Sequence, residues 1–360
     1  MFKQIVAFVC LFVFSLEASP QQIDKVDSAI REFSKKQHQG GIAVSIITPG
    51  GKTGYTVNTF SYGHAKGPES APPNEKSIFF LASVTKVLTA TVLAKFVEEG
   101  KVRLDDPVQQ YVPGIKVPTY QGKPITLQDL ANHTSGLPRD VSGNKHPYHY
   151  QVDDFYQWLQ QIHLKYEPGT KSVYSNAGFG FLGIILSNIA GKSFEDLVVQ
   201  VVCNPLNMPD TRMYLSNNQK DRLCEFYGKS GQVIDSPRRD TFPGLGGGGA
   251  FASTLADMTN FVVYNMGLVD TSLNSLLPIL FEPSFKTTKT GFIGLGWEGS
   301  RLYPTQSILK YSKNGGLKGV STFIGFVKET QTGVVVLSNT NSLNTTSLGN
   351  EILKILNPEK

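Results

Sequence analysis

Residues 78–100 read IFFLASVTKVLTATVLAKFVEEG, and this stretch decides the fold. From Val84 onward its apolar residues recur at helical spacing, which predicts a buried helix. Gly100 is placed to end that helix, and Ser83 lies where a helix N-cap would lie. Lys86 follows Ser83 by three residues, so a hydroxyl and a cation share one face at the start of the helix.

The pair Ser83 and Lys86 has two interpretations. As an N-cap, Ser83 would only start the helix, but a capping box has Glu or Gln three residues after the serine. A lysine there instead opposes the helix dipole by about 0.3–1 kcal/mol, and burial removes water from its ammonium group. Alternatively, burial and the positive helix end lower the pKa of Lys86, so that it can take a proton from Ser83 and make it a nucleophile. The same spacing recurs at Ser142–Lys145 and Ser307–Lys310, so the context must decide.

Composition sets the class of protein and its compartment. The 360 residues, 40% hydrophobic and 18% charged, suit one large globular domain or two smaller ones. The net charge is +5 with scattered basic residues, so nothing favours nucleic-acid binding. Residues 1–18 are typical of a cleaved secretory signal peptide, with an uncleaved anchor as the alternative, although the apolar run is too short to span a bilayer. We therefore expect a periplasmic or secreted protein without stable membrane insertion, whose residues 19–360 form one catalytic domain.

Two cysteines, Cys203 and Cys224, remain after removal of the signal peptide, which contains Cys10. In an oxidising compartment they could form a disulfide that stabilises the fold by about 3 kcal/mol. Two free thiols are the alternative, and both remain open.

Strands at both ends of the chain, with helices between them, predict the fold class. The predicted strands are 42–47, 55–62, 294–298, 309–313, 322–328 and 333–339. The predicted helices include 23–36, 125–133, 152–163, 177–190 and 348–356. We expect an α/β (α+β) fold in which an antiparallel sheet built from both chain ends is flanked by helices. The α/β lobe would comprise 19–80 and 292–360, and an inserted, mainly helical lobe would comprise 81–291.

Tyr174-Ser175-Asn176 is a second chemical element, the only Tyr-x-Asn among 14 tyrosines. A loop tyrosine is usually packing, and an asparagine ahead of a helix is usually a cap. If Tyr174 lies near Lys86, however, it can relay a proton to a leaving group and later activate water. Asn176 can then hold a substrate amide with its donor and acceptor together.

The third expected element is a lysine on a strand, commonly followed by Ser or Thr and then Gly. Three literal matches begin at Lys52, Lys229 and Lys289. We choose Lys313-Asn314-Gly315-Gly316 instead, because only this stretch ends a predicted strand. Lys313 would attract a substrate carboxylate, and the N–H groups of Gly316 and Ser83 would form an oxyanion hole.

Other chemistries find less support in the sequence. Residues 244–249 are rich in glycine, but no phosphate-binding or dinucleotide fingerprint fits, so we predict a close-packed backbone turn. No G-x-S-x-G elbow is present. His146 and His149 suggest a metal site, yet no matching acid or cysteine set accompanies them. We expect neither a metal nor a cofactor.

The three elements occur in the order, and at about the separations, of class C β-lactamases and related penicillin-binding proteins, which the chain resembles over residues 25–356. Further stretches similar to this family are 130–138, 205–211 and 294–297. The run 116–127 is similar to the AmpH branch, periplasmic D-alanyl-D-alanine carboxypeptidase/endopeptidases. His133, which could suggest a triad, falls in a structural loop of the family.

The resemblance assigns roles to the residues above. It implies Ser83 as the nucleophile, and Lys86 and Tyr174 as the residues that move protons. It implies substrate binding by three residues, Asn176, Lys313 and Asn314. Asn314 stands where the family usually has Thr or Ser, whose hydroxyl helps to bind the substrate carboxylate. Its longer amide alters that geometry, which puts efficient β-lactam turnover in doubt but not acylation.

The function implied by the resemblance is that of an exported serine hydrolase acting on peptidoglycan stem peptides ending in D-Ala-D-Ala, and on β-lactams. A class C β-lactamase and an esterase on the same scaffold are alternatives. A non-catalytic penicillin-binding sensor is an alternative of another class, although a pseudoenzyme would not need Lys86.

Overall fold

The computed structural model describes residues 17–36, 39–141, 151–235, 245–342 and 344–359. The helices in these ranges are α1 Pro20–Lys35, α2 Thr85–Glu98, α3 Leu127–Ala131, α4 Val152–Leu159, α5 Asn176–Ala190, α6 Phe194–Val198, α7 Asn217–Asp221, α8 Gly246–Gly249, α9 Leu255–Asn265, α10 Leu277–Phe281 and α11 Thr345–Leu356. The strands are β1 Gly41–Pro49, β2 Tyr55–Gly63, β3 Ile78–Phe80, β4 Phe226–Tyr227, β5 Val233–Ile234, β6 Ala252–Thr254, β7 Phe285–Lys286, β8 Gly291–Ile293, β9 Glu298–Arg301, β10 Leu309–Leu317, β11 Val320–Val327 and β12 Thr332–Ser338. Almost all of the predicted signal peptide lies outside the described residues, as do Ser142–Lys145, His146 and His149.

An antiparallel sheet of eight strands organises the described chain, in the order β2-β1-β12-β11-β10-β9-β8-β7. The first and last long strands lie side by side, with Ile42 opposite Ser338. This arrangement confirms the predicted sheet built from both chain ends. Short pairs β3–β6 and β4–β5 lie outside it.

The two faces of the sheet pack against different helices. In β1, which is buried along its whole length, alternate residues point to opposite faces. Ile42 and Val44 join the cluster formed with α1 and α11, whereas Ala43 and Ile47 join the cluster formed with α2 and α9. On that second face, the hydroxyls of Ser45 and Thr259 share a hydrogen bond of 2.6 Å. The sheet is therefore the middle layer of the molecule.

Helix α2 is the buried helix that the sequence predicts. It buries 11 of its 14 residues, as expected for a helix that is apolar all round. It ends at Glu98, and Gly100 follows with a φ of +67°, a conformation that glycine adopts without strain.

The glycine run forms the single-turn helix α8, packed against α5 without intervening side chains. A Cβ atom added to Gly247 would lie 2.4 Å from the carbonyl oxygen of Phe179. One added to Gly183 would lie 3.0 Å from the Cα atom of Gly247. These contacts confirm the predicted close packing, and they explain why glycine is required there.

Several predicted boundaries differ from the structure. Residues 294–297 form a bend between β8 and β9 rather than a strand, with Gly296 at a φ of +73°. Strands β7 and β8, which were not predicted, join the large sheet from residues 285–293. The short pair β3–β6, also not predicted, lies outside that sheet. The division into two lobes stays a prediction.

Cys203 and Cys224 are both buried free thiols, so the structure contains the second of the two expected alternatives. Burial raises the pKa of each thiol to about 12. Within the described ranges no single helix is long and apolar enough to cross a membrane, although α5 and the segment Phe194–Cys203, bent by 81°, pass that test as a pair.

The packing of α8 predicts the effect of a single methyl group. Gly247→Ala should lower the free energy of unfolding by about 2 kcal/mol, because the new Cβ would overlap the backbone of α5. Gly114→Ala is the matched control, since nothing lies within 4 Å of its added Cβ, and it should change stability by less than about 1 kcal/mol. Urea unfolding of both variants measures this. Equal stabilities would contradict the packing argument.

Candidate active site

Ser83 lies in the short turn Ala82–Val84 immediately before α2. No side-chain cap hydrogen bond is present at either of these two elements, so Ser83 is not an N-cap. Ala82 has a φ of +49°, a strained conformation for a residue with a side chain. The turn is held by Leu81, whose N–H donates to the carbonyl of Phe251 and whose carbonyl accepts from the Thr322 hydroxyl at 2.9 Å. Such a strained, well-anchored turn is suited to presenting a reactive side chain.

Lys86 is fully buried, and its Nζ atom lies among three oxygen atoms. These are Ser83 Oγ at 3.2 Å, Asn176 Oδ1 at 2.7 Å and the Gly248 carbonyl at 2.5 Å. Burial, followed by the charge of Lys313, holds the pKa of Lys86 well below its ordinary value. The i, i+3 spacing thus brings the amine to the hydroxyl as predicted, and burial shifts the pKa of the amine in favour of its neutral form.

Tyr174 completes the group around Ser83. Its hydroxyl donates to Ser83 Oγ at 2.6 Å. Two lysine Nζ atoms lie over its ring, that of Lys86 at 4.8 Å and that of Lys313 at 5.3 Å from the ring centroid. The guanidinium of Arg139 lies 5.1 Å from the same centroid. The phenol ring therefore lies close to two amines and one guanidinium group.

His133 forms hydrogen bonds with the residues immediately before and after Tyr174 in the chain. Its carbonyl accepts from the N–H of Val173 at 2.8 Å, and its Nδ1 accepts from the N–H of Ser175 at 3.1 Å. The rings of His133 and Tyr174 lie 4.5 Å apart. His133 adopts a φ of +66° to make these contacts. It contacts Tyr174 rather than Ser83, so the structure gives no support to a triad.

Asn176 is the first residue of α5, which Ser175 caps by accepting from the N–H of Gly178. Its Oδ1 accepts from Lys86, and its Nδ2 donates to Asp140 Oδ1 at 2.7 Å. Both ends of the amide therefore have protein partners. A substrate amide would have to exchange with Asp140 to reach Asn176.

Lys313 lies on β10 with only 1% of its side chain exposed. Its Nζ donates to Glu298 Oε1 at 3.0 Å. Two residues later, Gly315 lies against the nucleophile, because a Cβ added to it would lie 3.0 Å from the Ser83 nitrogen. The strand therefore passes directly beside Ser83, as an oxyanion hole shared with Gly316 requires.

Asn314 occupies a different position from Lys313. It pairs with Phe323, a residue of the cluster beneath α11, whereas Lys313 pairs with Ile324, a residue of the opposite cluster. The exposed Asn314 lines an open cleft of about 500 Å³ together with Lys229 and Asn344. Gly315 and Gly316 line the same cleft, and contact of the Asn314 side chain with a substrate stays a prediction.

The competing motifs lie elsewhere. Lys229 is in the turn of the β4–β5 hairpin, Lys289 is in the turn between β7 and β8, and Lys52 is in the turn between β1 and β2. Lys310, of the Ser307–Lys310 pair, donates to Asn350. Within the described ranges no group of three or more His, Cys, Asp and Glu side chains could hold a metal ion.

Comparison with known proteins assigns the chain to a family. A family model described as Beta-lactamase matches residues 26–355. The chain belongs to the beta-lactamase family. It is thus a member of the serine β-lactamase and penicillin-binding protein superfamily.

Three proteins similar to the chain carry carboxypeptidase or beta-lactamase names. The D-alanyl-D-alanine-carboxypeptidase/endopeptidase AmpH of Escherichia coli (strain K12) is 36% identical over 209 residues, covering 56% of this chain and 52% of AmpH. The chain thus spans about half the length of that relative. A beta-lactamase of the same organism is 26% identical over 356 residues, covering 90% of each chain. The crystal structure of a beta-lactamase/D-alanine carboxypeptidase from Yersinia pestis complexed with citrate has a TM-score of 0.77 and 25% identity, covering 93% of this chain and 98% of the other.

Three residues that contact the predicted site residues were not predicted to do so from the sequence. They are His133, Asp140 and Glu298. For His133 a signal existed, since it lies in the stretch 130–138 that resembles the family. For Asp140 and Glu298 no local pattern in the sequence indicates the contact.

His133 predicts a pH dependence of stability. Burial, with the charges of Lys313 and Lys86, holds its pKa well below the ordinary 6.5, so the folded protein keeps it neutral while the unfolded chain protonates it. Stability should therefore fall as the pH drops below about 6.5, by up to about 1.4 kcal/mol per pH unit. Urea unfolding of His133→Asn between pH 7 and pH 5.5 should show a shallower loss than the unmutated protein. The exposed His163→Asn is the control, and a slope shared by all three proteins would contradict the assignment.

Proposed function

We propose that this family member is an exported serine hydrolase that forms an acyl-enzyme with D-Ala-D-Ala peptides and with β-lactams, acting as a DD-carboxypeptidase/endopeptidase. One observation carries the proposal: Ser83 Oγ lies 3.2 Å from the amine of Lys86 and 2.6 Å from the hydroxyl of Tyr174. The AmpH relative and the Yersinia neighbour carry peptidase names, which supports this substrate class. The pattern of residues 1–18 supports a periplasmic or secreted location.

Neutral Lys86 is arranged as the base. Its two N–H bonds point to two fixed acceptors, the Gly248 carbonyl and Asn176 Oδ1. In this proposal the neutral amine turns its lone pair to the third contact, Ser83 Oγ at 3.2 Å. Lys86 therefore takes the Ser83 proton as Oγ attacks the substrate carbonyl.

The tetrahedral intermediate then needs support for its negative oxygen and a proton for its leaving group. The N–H groups of Ser83 and Gly316 supply the first, and loss of one such donor typically slows a reaction about 10²–10³-fold. Tyr174, in contact with Oγ, passes the proton from Lys86 to the departing amine. The C–N bond breaks, and the acyl group stays on Ser83. A water molecule then attacks the ester and gives its proton through Tyr174 to Lys86, and the same proton returns to Ser83 Oγ as the C–O bond of the ester breaks.

The first prediction concerns the covalent intermediate. A fluorescent penicillin should label the protein stoichiometrically, and Ser83→Ala should abolish labelling because the nucleophile is gone. Tyr174→Phe should slow both acylation and D-Ala release by about 10²–10⁴-fold, since it removes the proton relay. Tyr214→Phe is the matched control and should change neither the acylation rate nor the rate of D-Ala release.

The substrates in that experiment separate the alternatives. D-Ala-D-Ala-terminated muropeptides and a chromogenic cephalosporin are offered side by side. Fast cephalosporin turnover without peptide cleavage would favour the class C β-lactamase, and labelling without any turnover would favour a binding module. An uncharged ester as the only substrate, with no effect of Lys313→Ala, would favour the esterase.

The second prediction concerns the pH profile of acylation. Because burial lowers the pKa of Lys86 from its ordinary 10.5, the neutral amine should persist well below pH 10.5. The acylation rate should rise with pH through this lowered pKa and reach its plateau on the acid side of 10.5. Stopped-flow labelling across pH 5–10 measures the profile. Lys86→Arg, which stays protonated throughout, should lose acylation at every pH, and retention of activity by this variant would exclude Lys86 as the base.

A further inference from the structure

Lys313 is a buried cation whose charge is already balanced. Its side chain is 1% exposed, and Glu298, at 3.0 Å, is 50% exposed. A buried ammonium left without an anion is strongly unfavourable, so this contact accounts for the stability of Lys313 in the unliganded site. A substrate carboxylate that approaches Lys313 therefore meets a carboxylate already in place.

The sheet register explains why Glu298 occupies this position. Its partner on β10 is Ser312, and this is the last residue pair between β9 and β10. Beyond it, residues 313–317 pair only with β11 among the described strands. Glu298 thus lies where the unpaired edge of β10 begins, beside the segment that contacts Ser83.

No other described carboxylate is paired with Lys313. Asp140 is engaged by Asn176 and Arg139 instead. The Arg139 guanidinium and the Lys86 amine both lie close to the ring of Tyr174. Glu298 is therefore the group that reduces the attraction of Lys313 for an anion.

We propose that Glu298 is a specificity residue, an internal carboxylate that occupies Lys313 until a substrate carboxylate displaces it. This inference rests on the proposed function, because it concerns substrates bound beside Ser83. Lys313 is buried and fixed, whereas the half-exposed Glu298 can turn to water at little cost. An anionic substrate must exchange with Glu298, while an uncharged substrate leaves the ion pair intact. Glu298 thus weakens the binding of carboxylate-bearing substrates selectively.

The test is Glu298→Gln, which keeps an oxygen that can accept from Lys313 but removes the charge. The KM for a D-Ala-D-Ala peptide with a free carboxylate should fall by about three- to tenfold, with little change in kcat. The KM for the same peptide as its C-terminal methyl ester should not change. Glu329→Gln removes an equivalent exposed charge elsewhere and is the matched control. In a Lys313→Met background, Glu298→Gln should no longer distinguish the two substrates.

Two outcomes would overturn the proposal. One is an equal change in KM for the acid and the ester, which would make Glu298 a structural support. The other is a KM for the acid that is unchanged or raised. If Glu298→Gln does not fold, Glu298→Ala is the second variant, with the same expected direction.

A binding measurement separates this proposal from the proposed function. In the Ser83→Ala protein, calorimetry compares the free-acid and methyl-ester peptides with and without Glu298→Gln. Tighter binding of the acid alone supports the role of Glu298 whether or not the unmutated protein forms an acyl-enzyme. Failure of penicillin labelling in the unmutated protein would instead count against the proposed function only.

Discussion

The constraint on which the site depends is the burial of Lys86 without a carboxylate partner among its hydrogen bonds. Its amine contacts three oxygen atoms that carry no formal charge. An ammonium ion at this position is poorly solvated, and the charge of Lys313 destabilises it further. Lys86 can act as a base because none of its hydrogen-bond partners is a carboxylate. A carboxylate in direct contact would stabilise the charged form and remove that basicity.

The glycine helix α8 provides one of the three uncharged oxygen atoms around Lys86. The Gly248 carbonyl reaches Lys86, and the adjacent Gly247 carbonyl accepts from Thr89 one turn further along α2. Both carbonyls reach α2 because α8 lies directly on the backbone of α5. A sequence feature that resembles a ligand-binding loop is therefore a packing device. Its carbonyls contribute to the site by accepting hydrogen bonds from Lys86 and Thr89.

The parts of this structure that were predictable from sequence are those governed by local periodicity. Residue spacing alone predicts helix α2 and the contact of Ser83 with Lys86. It also predicts the long strands β1, β2, β11 and β12. The approach of Tyr174 and Lys313 to Ser83 spans 91 and 230 residues of chain, and only the family resemblance could suggest it. The partner of Lys313 depends on the register between β9 and β10, which no local pattern encodes. The position of Asn314, by contrast, follows from strand alternation, which puts neighbours on opposite faces.

The pairing of β1 with β12 also bears on how the chain folds. The Ser338 hydroxyl donates to the carbonyl of Gly41, 297 residues earlier in the sequence. Strand β1 therefore cannot pair with β12 until nearly the whole polypeptide has been synthesised. Contacts so distant in sequence slow folding, and a nascent chain lacking its C-terminal strands is an incomplete sheet with an open edge. Until β12 has been synthesised, the edge of β1 that it covers has no hydrogen-bonding partner in the large sheet.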